Sequence, residues 1–398
     1  MKGKITMKLF GQRRGMFTMM VGILVFSLLL AACGSSNTGS TSGTTPTSGS
    51  SSAGANGKGC KKAGILLPET ATSERWDHKD RPLLIADITK ALGAVPFFNN
   101  AQGSATTQQT QAQADLANGA CILVLAPVDS IQAASIVSAA KAKGVPVISY
   151  DRLTYSADLN YYVSFDNTKV GALQGQYIAD HYKSFVSANG TTNTVMIDGA
   201  QTDNNALLFS AGAHSALDPL FSSGALKKVY EKFTPGWDNA TAQTEMQAAL
   251  TANGNKVAVA YVANDGMANN VIAALKAVKL NGKVLVTGQD ATAAGIQNIL
   301  KGDQAMTVYK AITKEAQGTA DLVAALSNGT DTASITNSAT VAIPSSGGAA
   351  AGTKIQSVLE TPVAVDKSNI QSTVLADNFV TKAQICAGLP SGTGGICP

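Results

Sequence analysis

The stretch Val145-Pro146-Val147-Ile148-Ser149-Tyr150-Asp151-Arg152 is a short apolar run that ends in a cluster of polar residues. Five other runs have the same form, and the six divide into two sets of three: 63–67, 121–125 and 145–149, then 194–197, 257–262 and 284–287. Short apolar runs of this length are typical of strands that are buried on both faces of a parallel sheet. The pattern therefore predicts two similar units, each with its own sheet.

Helical patterns lie between the apolar runs. Residues 83–92 have apolar side chains at 84, 85, 88, 91 and 92, which is the spacing of one helix face. Similar segments are 106–117, 131–143, 169–185, 204–217, 241–252, 268–279 and 291–300. Strands that alternate with helices form βαβ units, so we expect an α/β fold with parallel sheets.

The body of the chain from residue 60 onward is long for a single core and fits two. The first predicted domain covers 60–165 and about 309–357, and the second covers 166–308 and about 358–398. Later elements are a strand at 306–309, a helix at 312–326, extended segments at 340–343 and 358–365, and a flexible loop at 347–352. A chain that returns to both domains crosses between them several times, which makes a hinge, and hinged domains close around ligands.

Polar residues follow several of the predicted strands. These clusters are 74–77, 150–152, 203–205, 264–265 and 289–290. In open α/β sheets, ligands bind beyond the carboxyl ends of the strands. Two such sheets that face each other would gather these side chains around one ligand.

The first 33 residues have the pattern of an export signal. A basic segment at 2–14 precedes an apolar stretch at 16–32, and Leu30-Ala31-Ala32-Cys33 resembles the lipobox of bacterial lipoproteins, whose cysteine is lipidated after cleavage. Residues 34–59 are almost wholly small and polar, which is typical of a flexible tether. We expect a protein held by lipid at the outer face of the cell membrane. The alternative is an ordinary N-terminal membrane anchor, with Cys33 incidental.

The charge balance argues against nucleic acid as a partner. The chain has 30 Lys and Arg against 26 Asp and Glu. Residues 1–33 hold five of the basic residues and none of the acidic ones, so the rest of the chain is close to neutral. A basic surface that would attract phosphates is therefore not expected.

Four cysteines remain besides Cys33: Cys60, Cys121, Cys386 and Cys397. The first two stand at the starts of two strands that we expect to be neighbours, and the last two bracket a Gly- and Pro-rich tail. An oxidising exterior permits disulfides, and four cysteines allow three connectivities. Of these we predict Cys60–Cys121 and Cys386–Cys397.

The sequence has little that indicates an enzyme. His78, His181 and His214 are too widely spaced in the sequence to suggest a metal-ligand cluster, and no nucleophile elbow, P-loop or dinucleotide fingerprint occurs. Acidic residues could supply the carboxylate pair of a glycosidase, but no spacing favours one pair. We expect no catalytic residue, no metal and no cofactor.

The residues after the strands suit a polyol ligand. Sugar hydroxyls donate and accept hydrogen bonds, so carboxylates, Arg, Lys and Asn side chains can all bind them. Aromatic rings cover the C–H faces of a sugar, and the two Trp of the chain, Trp76 and Trp237, fall in different predicted domains. Each Trp could instead fill the edge of a core, because Trp is highly buried on average.

Each polar candidate also has a purely structural interpretation. Asp151-Arg152 could be a surface ion pair, Asp203 a helix N-cap, Asn264-Asp265-Gly266 a turn and Lys310 a solvated lysine. Their occurrence at successive strand ends of two matched domains favours a joint role in binding.

Several segments together resemble the D-xylose-binding family of bacterial ABC importers. They are 74–76, 79–81, 150–152, 164–171, 203–206, 236–238, 250–253, 288–291 and 306–310. The similarity runs from about residue 62 to residue 379. It implies a type I periplasmic-binding-protein fold, in which two Rossmann-like lobes with parallel sheets are joined by three hinge crossings.

The resemblance also implies a ligand, D-xylose, and the residues that would bind it. These are Arg75, Asp151 and Arg152 from the first lobe, Asn205, Asn264 and Asp290 from the second, Lys310 from the hinge, and Trp76 and Trp237 on the two faces of the sugar ring. The partners would be the permease and ATPase subunits of an importer, and the receptor itself would be a monomer. The cysteines, the tether and the long segment 328–352 depart from the family pattern.

The sequence therefore favours an extracytoplasmic receptor that captures D-xylose and delivers it to a permease. Three alternatives stay open at this point. They are a receptor for another pentose or hexose, a sugar sensor that feeds a signalling kinase, and an extracellular glycosidase.

Overall fold

The computed structural model describes residues 55–398. The predicted signal peptide at 1–33, the lipidation site Cys33 and most of the predicted tether lie outside the described residues. Among the described residues, no helix is both long enough and apolar enough to cross a membrane.

The described residues form thirteen short strands and eleven α-helices. The strands are β1 (Ala63–Leu67), β2 (Phe97–Asn100), β3 (Ile122–Leu125), β4 (Val147–Tyr150), β5 (Tyr161–Phe165), β6 (Asn193–Asp198), β7 (Lys227–Phe233), β8 (Val259–Val262), β9 (Leu285–Val286), β10 (Thr307–Tyr309), β11 (Thr340–Ala342), β12 (Lys354–Glu360) and β13 (Val363–Val365).

Most of the helices connect one parallel strand to the next. They are α1 (Arg81–Leu92), α2 (Ala105–Ala117), α3 (Ala134–Lys141), α4 (Asn167–Asn189), α5 (Asn204–Ser222), α6 (Asn239–Ala252), α7 (Asp265–Ala277), α8 (Ala293–Lys301), α9 (Ile312–Asn328), α10 (Ala333–Thr336) and α11 (Lys382–Cys386). A wide helical turn of the π type, Trp76–Asp80, leads directly into α1.

The strands form two main sheets. The first sheet has the order β11-β12-β5-β4-β3-β1-β2, and all its neighbours are parallel except β11 and β12. The second sheet has the order β7-β6-β8-β9 and is wholly parallel. A separate antiparallel pair, β10 and β13, lies beside the second sheet, since Met306 and Val308 belong to the core of that sheet.

The two sets of apolar runs coincide with neighbouring strands of these two sheets. The first set gives the neighbouring strands β1, β3 and β4, and the second gives β6, β8 and β9. All residues of β1, β3, β4, β8 and β9 are buried. The predicted α/β fold with two parallel sheets is therefore confirmed.

Three strands, β2, β5 and β7, are neither among the six runs nor among the later extended segments that the sequence predicts. The strands β2 and β7 lie at the edges of their sheets and are only partly buried. An edge strand that is partly exposed does not need a continuous apolar sequence. The extended segment expected at 358–365 is in fact divided between two sheets, because β12 pairs with β5 and β13 with β10. The loop expected at 347–352 contains most of a short 3-10 segment, Ser345–Ala350.

The chain passes between the two sheets three times. The crossings lie between β5 and α4, between β10 and α9, and between β12 and β13. Helix packing places the crossings there as well as strand pairing. The helix α4 packs on α5 and β8 of the second sheet, whereas α9 packs on α1 and on β5 of the first. Three crossings agree with the hinge that the family resemblance implies.

The structure joins Cys60 to Cys121 and Cys386 to Cys397, which are the two pairs predicted from the sequence. The Cα atoms are 5.5 and 5.3 Å apart, respectively. Because β1 and β3 are parallel neighbours, the residues that precede them lie side by side. The first disulfide therefore ties together the amino ends of two central strands.

Candidate functional site

A cavity lies between the carboxyl ends of the two sheets, where ligands bind in open α/β folds. All nine residues predicted to bind sugar line it: Arg75, Trp76, Asp151, Arg152, Asn205, Trp237, Asn264, Asp290 and Lys310. Four further residues also line it: Ser73, Asp203, Phe209 and Gln289.

Each sheet contributes side chains from the segments that follow its strands. Trp76 opens the helical turn after β1, and Asp151 and Arg152 follow β4 directly. On the other side, Asn205 lies in the first turn of α5, and Asn264 caps the N-terminus of α7 by accepting a hydrogen bond from the Met267 N–H. The rule that ligands bind beyond the strand ends is thus what brings these residues together.

Asp151 is the centre of the polar contacts. Its Oδ2 accepts a hydrogen bond from Arg75 Nη1 at 2.7 Å and lies 3.4 Å from Lys310 Nζ, while its Oδ1 accepts from Asn205 Nδ2 at 3.1 Å. Burial alone would raise the pKa of Asp151, but the charges of Arg75, Lys310 and Arg152 hold it well below the ordinary value. Asp151 is therefore an ionised acceptor at neutral pH.

Asn205 connects the second sheet to Asp151. Its amide N–H groups donate to the Asp151 backbone carbonyl at 2.9 Å and to the carboxylate, and its Oδ1 accepts from Asn167 Nδ2 at 2.9 Å. The amide is thus largely engaged within the protein. Asn205 therefore forms a bridge between the two sheets.

Arg152 and Asp203 form a second bridge between the sheets. Arg152 Nε lies 2.9 Å from Asp203 Oδ2, and both side chains are buried. Burial raises the pKa of Asp203, and the charge of Arg152 opposes that shift. Asp203 also accepts hydrogen bonds from the Trp237 indole N–H and from the Asn205 backbone N–H. Its N-cap role is confirmed, and it also lines the cavity, as the pattern of polar strand ends indicated. The family resemblance did not include Asp203 among the residues that would bind the sugar, and its ion-pair partner Arg152 is distant in the sequence.

The two Trp rings line the cavity from opposite sheets. The guanidinium carbons of Arg75 and Arg152 lie 4.7 and 5.2 Å from the centre of the Trp76 ring. The Trp237 ring lies against the backbone of Gly199, where a Cβ atom would be 2.1 Å from it. Each ring is also part of the core of its own sheet, so both Trp residues fill a core edge while they line the cavity.

Phe209 is an aromatic residue of the site that the sequence did not reveal. It meets Trp237 edge to face, with ring centres 6.3 Å apart. It lies one helical turn after Asn205 on α5, and this i, i+4 spacing places the two side chains on one face. That spacing is the signal that could have identified Phe209.

Three site residues adopt a left-handed backbone that is uncommon outside glycine. The φ angles are 58° at Asp151, 59° at Trp237 and 100° at Asp290. Such conformations cost free energy and are concentrated at ligand sites, where the surrounding structure enforces them. Each one here lies where the chain turns sharply near the end of a strand.

Several buried polar atoms of the cavity have no hydrogen-bond partner within the protein. They include Trp76 Nε1, Gln289 Oε1 and Asp290 Oδ1. The last lies 3.6 Å from Lys310 Nζ, an electrostatic contact that is too long for a hydrogen bond. An unpaired buried polar group costs about 1–3 kcal/mol, so a ligand with several hydroxyls would be favoured here.

The cavity lining is electrically balanced. Three cations line it, Arg75, Arg152 and Lys310, and so do three carboxylates, Asp151, Asp203 and Asp290. A balanced set of donors and acceptors favours a neutral polar ligand over an ionised one. Between residues 55 and 398, no three His, Cys, Asp or Glu side chains are grouped so as to hold a metal ion.

Comparison with known proteins gives concordant matches. A family model described as a periplasmic binding protein domain matches residues 72–331. The D-xylose-binding periplasmic protein of Escherichia coli (strain K12) is 37% identical over 314 residues, which cover 78% of this chain and 89% of that protein. The protein of the same name from Haemophilus influenzae is 38% identical over 316 residues, with coverage of 78% and 88%.

A solved structure also matches along its whole length. It is an ABC transporter solute-binding protein from Clostridium phytofermentans with bound β-D-glucose, and it is 28% identical. The match has a TM-score of 0.69 and covers 82% of this chain and 100% of that one.

Proposed function

Because the chain belongs to the periplasmic binding protein family, whose members bind substrates for transport and are not enzymes, we propose that it binds D-xylose in the cavity between the two sheets. The sugar would then be delivered to a membrane permease that is powered by an ATPase on other chains. Sugar binding as a component of an ABC transporter follows from the family and its relatives. The choice of D-xylose is the proposed part.

The observation that carries the proposal is the balanced set of donors and acceptors that converges from both sheets. A pyranose presents hydroxyls in several directions, and each can pair with a charged or amide group. Arg152, Lys310 and Asn264 would donate to the sugar, and Asp290 and Gln289 would accept. Trp76 and Trp237 would contact its C–H surfaces.

The similarity to named relatives supports a pentose. Two relatives at 37–38% identity bear the name of D-xylose-binding proteins and match over most of their length. Another pentose or a hexose is the alternative, since related proteins include multiple-sugar receptors and the glucose-bound structure above.

Capture would work by closure of the two sheets around the sugar. The bridges from Arg152 to Asp203 and from Asn205 to Asp151 form only when the sheets approach each other. A ligand can drive this closure only to the extent that it binds the closed form better than the open one. Lys310 lies in a crossing segment, so closure of the two sheets would bring its ammonium group directly against the sugar.

We also propose that the receptor is anchored by acylation of Cys33. The support is the Leu-Ala-Ala-Cys sequence after an apolar stretch and the small polar residues that follow it. Acyl chains would hold the receptor at the outer face of the membrane, near its permease. Fractionation of cells with and without a change at Cys33 tests this part separately.

A sugar panel tests the binding proposal. The purified protein is titrated with D-xylose, D-ribose, L-arabinose, D-glucose and D-galactose by calorimetry, and we expect D-xylose to bind most tightly. Replacement of Trp237 by Ala should weaken D-xylose binding by at least tenfold, about 1.4 kcal/mol, because an aromatic contact is lost.

Tyr230→Ala is the matched control for the Trp237 change. Tyr230 is a partly buried aromatic residue of the same sheet, on the edge strand β7, and it does not line the cavity. Its replacement should leave the affinity unchanged. If Trp237→Ala binds as tightly as the unchanged protein, the ring has no role in binding; if no sugar of the panel binds, the proposed function is wrong.

A further inference from the structure

Arg75 has partners that the cavity does not explain. Its Nε and Nη2 donate to the two oxygens of Asp80 at 2.9 and 2.6 Å, and Nη2 also donates to Glu315 Oε2 at 2.9 Å. Both carboxylates are fully buried, and neither lines the cavity. We propose, on the basis of the function above, that Asp80 and Glu315 are positioning residues that orient Arg75 toward the sugar.

The hydrogen bonds of Arg75 determine the orientation of its guanidinium plane. The group has five N–H donors in a rigid fork. Four of them are taken: two by Asp80, one by Glu315 and one by Asp151. The one that remains is on Nη1, on the atom that also contacts Asp151. The three carboxylates therefore leave a single N–H group, in a single direction, for a ligand hydroxyl.

A further layer supports Asp80. The Tyr150 hydroxyl donates to Asp80 Oδ1 at 2.6 Å, and Tyr150 is completely buried at the end of β4, next to Asp151. Burial, followed by the charges of Asp80 and Glu315, raises the pKa of the Tyr150 hydroxyl, so it stays a donor at neutral pH. Asp80, through Tyr150, and Asp151, which follows Tyr150, are thus both linked to the carboxyl end of β4.

Glu315 connects Arg75 to a crossing between the sheets. It lies in the first turn of α9, which begins two residues after Lys310. Lys310 and Arg75 both contact Asp151. The position of α9 therefore sets the position of both cations relative to one carboxylate. This arrangement gives Glu315 a role in site geometry as well as in charge balance.

A purely structural role makes a different prediction from a positioning role. If Asp80 and Glu315 only neutralised a buried charge, their loss would lower stability, and the folded variants would bind sugar as before. If they orient Arg75, their loss weakens binding, and the weakening disappears when Arg75 itself is changed. A double-mutant cycle separates the two cases.

The experiment compares Asp80→Asn and Glu315→Gln, each alone and combined with Arg75→Lys. D-xylose affinity is measured by calorimetry, and thermal unfolding without sugar reports the stability of each variant. We expect each single change to weaken binding at least tenfold, which is about 1.4 kcal/mol. In the Arg75→Lys background the same changes should have little further effect, because lysine cannot form the rigid fork.

Two more variants keep the test decisive if a charge change prevents folding. Tyr150→Phe removes one hydrogen bond to Asp80 and should weaken binding by a smaller factor, again with no further effect in the Arg75→Lys background. Asp115→Asn is the control, since Asp115 is a buried carboxylate on α2 that accepts hydrogen bonds from Asn99 and does not contact Arg75. The affinity of this variant for D-xylose should be unchanged.

The outcomes distinguish this inference from the proposed function. Unchanged affinity in the folded single variants, or losses that add to that of Arg75→Lys, would overturn the positioning role while sugar binding by the unchanged protein stands. Absence of binding by the unchanged protein across the sugar panel would overturn the proposed function itself.

Discussion

Asp198 is a buried carboxyl group that has no hydrogen-bond partner on either oxygen. It is the last residue of β6, directly before Gly199, and it does not line the binding cavity. Burial, and then the charge of Glu231, raises its pKa to about 7. Such a group is neutral over much of the acidic range and becomes a buried charge only as the pH rises past neutrality.

Asp198 should therefore make the protein less stable as the pH rises. The folded state, with a pKa of about 7, holds a proton that the unfolded state releases near pH 4. The free energy of unfolding falls wherever the folded state binds more protons, which here means from about pH 4 to about pH 7. We predict that Asp198→Asn removes this contribution and raises the melting temperature at pH 8 relative to the unchanged protein.

Thermal unfolding at pH 4.5 and pH 8 checks this prediction. The gain should be present at pH 8 and nearly absent at pH 4.5. Asp180→Asn on the exposed surface of α4 serves as the control and should show no such difference. An equal effect of Asp198→Asn at both pH values would mean that the carboxyl group does not titrate in this range.

At the scale of elements, two glycines let α4 and α5 approach until their backbones touch. A Cβ atom on Gly171 would lie 1.8 Å from the Phe209 carbonyl oxygen, and one on Gly212 would lie 2.0 Å from the Thr168 carbonyl oxygen. The helix α5 carries Asn205 and Phe209 into the cavity. Close helix packing thus determines where the second sheet presents part of the site.

We predict that Gly171→Ala costs stability and affinity together. Overpacking of this kind costs typically about 1–3 kcal/mol, and a shifted α5 would move Asn205 away from Asp151. Urea unfolding and D-xylose titration measure the two effects.

Gly318→Ala is the matched control for this change. It is also a helical glycine, on α9, but its added Cβ would meet only side chains, those of Val358 at 3.3 Å and Val163 at 3.9 Å, so stability should change little. Retention of both stability and affinity by Gly171→Ala would show that the helices can separate without consequence.

At the scale of the whole molecule, the two sheets also touch outside the cavity. The Ser130 N–H donates to the Thr202 carbonyl at 2.9 Å, and the Tyr155 hydroxyl donates to Asn204 Oδ1 at 2.9 Å. Elsewhere along the cleft, Asn239 Nδ2 donates to the Thr72 carbonyl at 3.3 Å. Contacts of this kind surround the cavity and describe a closed arrangement, which a hinged receptor would leave when it releases sugar.

The proposed attachment to the membrane through Cys33 is tested on the whole chain. We predict that Cys33→Ser moves the protein from the membrane fraction to the soluble fraction and abolishes incorporation of labelled palmitate, because the thiol that would carry the acyl chain is gone. Centrifugation and metabolic labelling measure both effects. Ser35→Ala should behave like the unchanged protein, and membrane retention of Cys33→Ser would instead support an ordinary N-terminal anchor.

The sequence alone was sufficient to predict the two parallel sheets and nine of the thirteen residues that line the cavity. Buried central strands are locally encoded as continuous apolar runs, and in a parallel sheet all strands end at the same edge. Polar residues just after β4, such as Asp151 and Arg152, therefore had to lie near those after the neighbouring strands. The edge strands β2 and β7 escaped prediction because partial burial leaves no such run.

Tertiary structure alone decided which of these residues bind each other. Arg75 pairs with Glu315, which is 240 positions away in the sequence, and Arg152 pairs with Asp203 of the other sheet. Such pairs depend on how two sheets face across a cleft and on the low dielectric constant of the interior, and no local pattern encodes either. The sequence thus determined where the site would be, and the packing of the two sheets decided how its charges are balanced and which groups remain available to a sugar.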